Sequence, residues 1–234
     1  MVEDLEKESD MSINSKLKIA IDGPAGSGKS TVAREVARQL NIVYLDTGAM
    51  YRAITLKLLR AHCDLSDHSQ VEALLEQTVL QLASDERIFL DGEDVTAEIR
   101  KPQVNAAVSR VAELPVVRRK LVRQQQEIAA AAGGIVMEGR DIASTVMPDA
   151  PFKFYLDATL PVRARRRMQE QREKGLPLSY EKVFHEIKER DRIDSERADS
   201  PLTVTPGVQV IDTTSLTIAE VVERILQEIN PQTD

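Results

Sequence analysis

Short apolar runs alternate with longer stretches of helical period along this chain. Residues 17–21, 42–45, 135–137, 152–156 and 208–211 are rich in β-branched or aromatic side chains and are mostly bounded by Gly, Pro or Asp, so they read as core strands. Between the first two, Ala33, Val36, Ala37 and Leu40 fall at i, i+3, i+4 and i+7, the apolar stripe of a helix. Near the end, Thr217 and Glu220 have capping-box spacing ahead of Val221, Val222, Ile225, Leu226 and Ile229, which predicts a final helix. Strands separated by helices in this way predict a five-stranded parallel sheet covered on both faces.

The middle departs from that rhythm. After a long helical approach from Tyr51, residues 78–84 and 87–90 read as short strands. Asp91-Gly92 marks a tight turn, and residues 94–96 are a candidate third strand. Helical stretches around 104–111 and 116–130 follow. The pattern is a small β insertion in an α/β chain, set where insertions shape a second substrate site. Residues 1–15 are acidic and aperiodic and read as a frayed tail. The remaining residues, 16–234, suffice for one domain.

Between the first strand and the first helix lies Gly23-Pro24-Ala25-Gly26-Ser27-Gly28-Lys29-Ser30, with Thr31 following. The spacing G-x-x-x-x-G-K-[ST] lets successive backbone N–H groups wrap a phosphate. Lys29 then reaches the β- and γ-phosphates and the Ser30 hydroxyl can ligand Mg²⁺. With strand, loop and helix in order, the segment predicts binding of a nucleoside triphosphate at a helix N-terminus.

The overall charge narrows the partners. A formal net charge of −7 argues against a general nucleic-acid or acidic-membrane binder. A single cysteine, Cys63, leaves no disulfide framework and reads as an ordinary small apolar residue. His62, His68 and His185 lack metal-ligand spacing and read as surface residues. No stretch has the length of a membrane span and the acidic start lacks a signal-peptide pattern; the expectation is a cytoplasmic protein, monomeric for want of an apolar stripe demanding a partner.

Further chemistry gathers at the strand ends. Asp46-Thr47-Gly48-Ala49-Met50-Tyr51-Arg52 follows the second strand, and Arg52 offers a rigid fork for phosphate oxygens. Alone, such an arginine is more often solvated. Glu138-Gly139-Arg140-Asp141 follows the third strand and reads either as a turn with a surface ion pair or, opposite a phosphate loop, as a ligand contact. Arg190, Asp194 and Arg197, at i, i+4 and i+7, share one face if the helix persists, and alone they would be a salt-bridge ladder. Arg163, Arg165, Arg166, Arg167 and Arg172 crowd one segment. They form either a solvated basic face or a mobile lid over triphosphate, and their density favours the lid, with Gly175 in a turn at its tip.

From about Lys16 to the C-terminal helix the chain resembles the bacterial cytidylate kinase family. The resemblance rests on Ile19-Ala20-Ile21-Asp22-Gly23-Pro24, Leu45 through Arg52, Glu138-Gly139-Arg140-Asp141, Pro148-Asp149-Ala150-Pro151, Ile187-Lys188-Glu189-Arg190-Asp191 and Ile211-Asp212-Thr213-Thr214. It implies a P-loop nucleoside-monophosphate kinase fold with a β-containing insertion that receives CMP, about 51–131, and an Arg-rich lid, about 161–185. The core would comprise 16–50, 132–160 and 198–230. It also implies ATP as phosphoryl donor, Mg²⁺, and CMP or dCMP as acceptor. By position, Lys29, Arg52 and Arg140 would be catalytic, the last two gripping the CMP phosphate. Thr47, Arg118, Asp141 and Arg197 would surround cytosine and its phosphate, with Ser109, Arg190 and Asp194 near the pentose. Glu138 stands where the family usually has aspartate, and Ala143-Ser144-Thr145 replaces a more usual Gly-Thr-Val.

Cytosine presents an N4 amino donor beside N3 and O2 acceptors. Asp141 can accept from the amino group while Arg118 or Arg197 donates, and uracil reverses the first two features. A kinase for dTMP or shikimate is the nearest rival. A GTP switch would normally carry an Asn-Lys-x-Asp segment, which this sequence lacks.

Overall fold

A computed structural model describes residues 17–230 except 84, 174 and 176; the expected tail at 1–15 lies outside the described residues. Strands β1 (Lys18–Asp22), β2 (Val43–Asp46), β6 (Ile135–Gly139), β7 (Phe152–Asp157) and β8 (Gln209–Asp212) form one parallel sheet in the order β2-β6-β1-β7-β8. The expected five strands are all there. Several run a residue further than their apolar cores, because the ladder pairs Asp46 with Glu138, Asp22 with Gly139, and Asp157 with Asp212.

Period-two alternation dictates the layers. Ile19, Ile21 and Val136 point to one face, where helices α1 (Lys29–Leu40) and α8 (Ile218–Ile229) cover them. Ala20, Ile135 and Met137 point to the other, against α2 (Thr47–Arg60) and the helices that follow it. These are α3 (His68–Glu76), α4 (Pro102–Glu113) and α5 (Pro115–Ala131). Proline opens α4 and α5 at their first position, where its missing N–H costs nothing. The capping box of α8 is present, with Thr217 and Glu220 satisfying each other's backbone N–H.

The β insertion is a three-stranded antiparallel sheet of β3 (Leu80–Leu82), β4 (Ile88–Leu90) and β5 (Glu93–Asp94). Asp91 and Gly92 both take positive φ, 53° and 86°, the two-residue turn that fits twisted strands. The third strand is shorter than expected: Thr96 leaves the ladder, its hydroxyl accepting the Ile88 N–H. Beyond β7 come α6 (Leu160–Glu173) and α7 (Tyr180–Glu196). The single helix face joining Arg190, Asp194 and Arg197 is not kept. The chain is extended at Arg197 (φ −59°, ψ 141°), and the Asp194 carbonyl is taken by the Leu202 N–H at 2.8 Å. Among the described residues no helix is long and apolar enough to cross a membrane.

Candidate active site

The sheet order reverses around β1, so the crevice beyond its carboxyl end is where ligands gather in open parallel sheets. The phosphate loop leaves β1 there. Gly23 has φ 149°, and a Cβ on it would stand 2.1 Å from the Leu156 carbonyl oxygen, so no side chain fits. Gly26, at φ 78°, is similarly closed by the Arg163 backbone. Lys29 is buried within the loop, its Nζ donating to the Pro24 carbonyl at 3.1 Å. Pro24, Ala25, Ser27 and Gly28 complete the curve, and Ser30 and Thr31 lie exposed on the first turn of α1. The Ser27 hydroxyl is buried without a partner among the described residues.

A cation cluster faces this loop. Arg52, buried on α2, donates through Nε to Asn105 Oδ1 at 3.2 Å. Arg140, just past β6, donates through Nε to Asp194 Oδ2 at 2.8 Å, and Arg190 Nε stands 3.8 Å from the same oxygen. Burial and the Arg140 charge push Lys29 down to about 7. Burial and Arg190 push Arg52 down to about 9, and burial and Arg140 push Arg190 down to about 10. For Arg140, burial pulls down but Asp194 and Glu138 outweigh it and the net shift is upward. Buried cations held close together without enough carboxylate are complementary to a polyanion.

A second constellation lies beside the first. Arg118, 1 % exposed, donates to Asp141 Oδ2, while Arg197 NH2 stands 3.6 Å from Asp141 Oδ1. Arg118 Nε also lies 3.6 Å from Asp199. Tyr51 lies against Arg118 with its ring centre 5.9 Å from the guanidinium, and its hydroxyl is buried without a partner among the described residues. Thr47 donates its hydroxyl to the Glu138 carbonyl at 2.7 Å, tying α2 to β6. Ser109 is buried on α4 and makes no hydrogen bond to these groups among the described residues.

The arginines after β7 divide into separate environments. Arg163 is buried, bonded to the Ala158 and Ala25 carbonyls at 2.8 and 3.1 Å and paired with Asp191 at 2.6 Å. It buttresses the phosphate loop from behind. Arg166 bonds the Thr213 carbonyl at 2.6 Å, Arg167 pairs with Glu170, and Arg165 is exposed. The three histidines are exposed, Cys63 is half-buried, and burial raises its thiol.

Four residues beside these groups were given no site role by the sequence reading: Asp22, Tyr51, Asp46 and Arg100. Asp46 caps α2 at the Ala49 N–H and pairs with Arg100 at 2.7 Å. For Asp22 and Asp46 the signal was the acidic residue closing each parallel strand; Tyr51 and Arg100 carried none.

No group of three or more His, Cys, Asp or Glu side chains among the described residues could hold a metal by itself. A lone serine hydroxyl at the phosphate loop fits an ion whose other ligands are phosphate oxygens and water.

The chain matches the cytidylate kinase family model over residues 19–231. It is 52 % identical over 221 residues to the cytidylate kinase of Caldanaerobacter subterraneus subsp. tengcongensis, covering 94 % of this chain and 98 % of that one. Identity to the cytidylate kinase of Bacillus pumilus is 49 % over 214 residues, with 90 % and 95 % covered. A gluconokinase from Sinorhizobium meliloti shares the fold at TM-score 0.50 and 14 % identity, over 93 % of this chain and 94 % of that one. With a phosphate loop opposed by buried arginines and a near-complete match to the family model, the chain belongs to the cytidylate kinase family and is a nucleoside-monophosphate kinase.

Proposed function

We propose that the protein transfers the γ-phosphoryl group of ATP directly to the phosphate of CMP or dCMP, giving ADP and CDP or dCDP. The observation that carries this is the pairing of two subsites at one sheet edge. Buried Lys29 and Arg52, with half-buried Arg140 and Arg190, offer positive charge beside the phosphate loop, and Asp141, flanked by Arg118 and Arg197, offers an acceptor between donors. The loop amides and Lys29 hold the donor's phosphates. Arg52 and Arg140 hold the acceptor's phosphate, and Asp141 receives the cytosine N4 amino group while the flanking arginines donate to N3 and O2. Thr47, Ser109, Arg190, Asp194 and Arg197 complete the pocket around phosphate and pentose. The Ser30 hydroxyl would hold the Mg²⁺ that accompanies ATP, and the ion would supply neutralisation of phosphate charge.

An oxygen of the CMP phosphate attacks the γ-phosphorus in line with the departing bridge. A bond from that oxygen to phosphorus forms, the bond to the β–γ bridging oxygen breaks, and its electron pair leaves on ADP. The acceptor is already ionised near neutral pH, its second pKa lying near 6, so no general base is needed. Charge cancellation and alignment by Lys29 and the arginines lower the barrier. Arg165, Arg166 and Arg167 belong to a segment that closes over the triphosphate and keeps out water, while Arg163, expected with them, stays beneath the loop as its support. A coupled ADP-release assay across CMP, dCMP, UMP, dTMP and AMP tests the reading. CMP and dCMP should give the highest kcat/KM; equal rates with UMP or AMP would overturn it.

A further inference from the structure

Asp22 ends β1 one residue before the phosphate loop, yet its carboxylate faces the other subsite. Oδ1 accepts the N–H of Ile142 at 2.9 Å and Oδ2 that of Ala143 at 2.8 Å, a reach of 120 residues along the chain. Those two residues open the single π-helical turn Ile142–Val146, whose own bonds run from Thr145 and Val146 N–H back to the Asp141 carbonyl. The first N–H groups of any helical turn lack partners within it and must find an acceptor when buried. Here Ile142 is fully buried and Ala143 is 5 % exposed.

Asp141 occupies the N-cap position of this turn, and aspartate is among the residues whose side chain ordinarily folds back to accept those N–H groups. It makes no such bond. Its carboxylate points instead to Arg118 and Arg197. From this arrangement we infer that Asp22 is a positioning residue: by capping the turn in place of Asp141, it keeps the Asp141 carboxylate in the pocket to receive the base. The inference rests on the reading that Asp141 recognises cytosine. Asp22 is thereby shared between subsites, its backbone leading into the phosphate loop and its side chain fixing the turn that carries the base reader. Register places it beside Gly139, two residues before Asp141, so the distance between loop and reader is set within the sheet itself.

In Asp22→Asn the new amide N–H₂ opposes the Ala143 N–H, and Asp141 is released to cap its own turn. Asp22→Ser keeps a single small acceptor and introduces no opposing donor. Steady-state kinetics with CMP, UMP and ATP varied separately, alongside near-ultraviolet circular dichroism, read the effect. In Asp22→Asn the KM for CMP should rise about tenfold and the CMP-to-UMP ratio of kcat/KM fall about tenfold, the loss of one well-placed hydrogen bond. The KM for ATP should stay within about twofold. Asp22→Ser should fall between this variant and the wild type. Unchanged CMP kinetics and selectivity in a folded Asp22→Asn would overturn the inference, as would a rise confined to the KM for ATP. So would failure of both variants to fold, which would make Asp22 a scaffold residue only. A wild-type enzyme indifferent to CMP would instead defeat the reading beneath it.

Discussion

Lys29→Met separates stability from activity with a sign that changes with pH. Lys29 is buried, and its one hydrogen bond is to the Pro24 carbonyl. Burial first, and Arg140 next, lower it from 10.5 to about 7. A depression of that size corresponds to roughly 5 kcal/mol against the folded state below pH 7, taken as an upper bound at 1.36 kcal/mol per unit. Methionine fills similar space without charge but forfeits a charge-assisted hydrogen bond worth about 1.5–3 kcal/mol. The variant should therefore be about 2 kcal/mol more stable than wild type at pH 6. Between pH 7 and 10.5 the unfolded chain holds the Lys29 proton and the folded one does not, so wild-type stability rises with pH by about 1.4 kcal/mol per unit from this group. By pH 9 it regains roughly 3 kcal/mol and the order reverses.

Urea unfolding of both proteins at pH 6, 7, 8 and 9 without nucleotide measures the difference, which cancels the groups common to both. Turnover in the same variant should fall by at least about 10²-fold, given the proposed role of Lys29 on charge developing in transfer. Parallel stability curves, with the variant less stable by about 2 kcal/mol at pH 6, would refute the reasoning, because Lys29 would then be at ease in the absence of nucleotide phosphates.

Three other outcomes follow from the same electrostatics. At pH 8, binding of MgATP should draw close to one proton from solvent as phosphate restores Lys29; calorimetry in buffers of differing ionisation enthalpy detects it, and an equal heat in all of them counts against it. Asp194→Asn removes the anion that lies 2.8 Å from Arg140 and 3.8 Å from Arg190, which should cost about 3–5 kcal/mol in urea unfolding. Inorganic phosphate should then raise its Tm more than that of wild type. Asp22 is raised to about 6, chiefly by burial. Its folded pKa lies above the unfolded value, so its stabilising share is present below about pH 4 and is lost as pH rises through 6, by up to roughly 3 kcal/mol. The wild-type minus Asp22→Asn difference in urea midpoint from pH 4 to 7 reads that slope; a flat difference would count against it.

The parts of the fold written locally could be read from the sequence. The continuous burial of Ile19, Ala20 and Ile21, the glycines of the phosphate loop and the Thr217–Glu220 box each need only neighbouring residues. The site was legible as a set of positions but not as a set of partnerships. Asp199-Ser200-Pro201 announces that the helix carrying Asp194 must end, but not that it stops as early as Glu196, where a bond from Leu202 back to Asp194 accompanies the turn away. Arg163 and Arg165 are two residues apart in one basic run, yet one lies beneath the phosphate loop and the other in solvent. Spacing cannot separate them, since the difference is set by Ala25 and Asp191, 138 residues before and 28 after. Arg34 of α1 likewise meets Glu86 of the insertion across 52 residues.

The carboxylates of this site determine which cations lack a close ion-pair partner and so suit the proposed substrate phosphates. Asp46 engages Arg100, Asp141 engages Arg118, Asp191 engages Arg163 and Asp194 engages Arg140. For Arg100, Arg118 and Arg140 the carboxylates outweigh burial and the guanidinium is raised. Lys29 and Arg52 have no carboxylate within ion-pair distance among the described residues, and both are lowered. Arg190 shares Asp194 only at 3.8 Å and is lowered as well. A buried cation whose charged form is disfavoured gains most from an arriving anion, because that anion supplies the compensation the protein withholds. The aspartates thus build two populations from one basic composition: paired arginines that hold the pocket's shape, and three under-compensated groups on α1, α2 and α7. Since these sit on separate elements, a pair of phosphates placed among them would draw together the core, the insertion and the segment after β7. In the proposed reaction, electrostatic demand and closure would then be the same event, since two polyanions must be brought together before a phosphoryl group can pass between them.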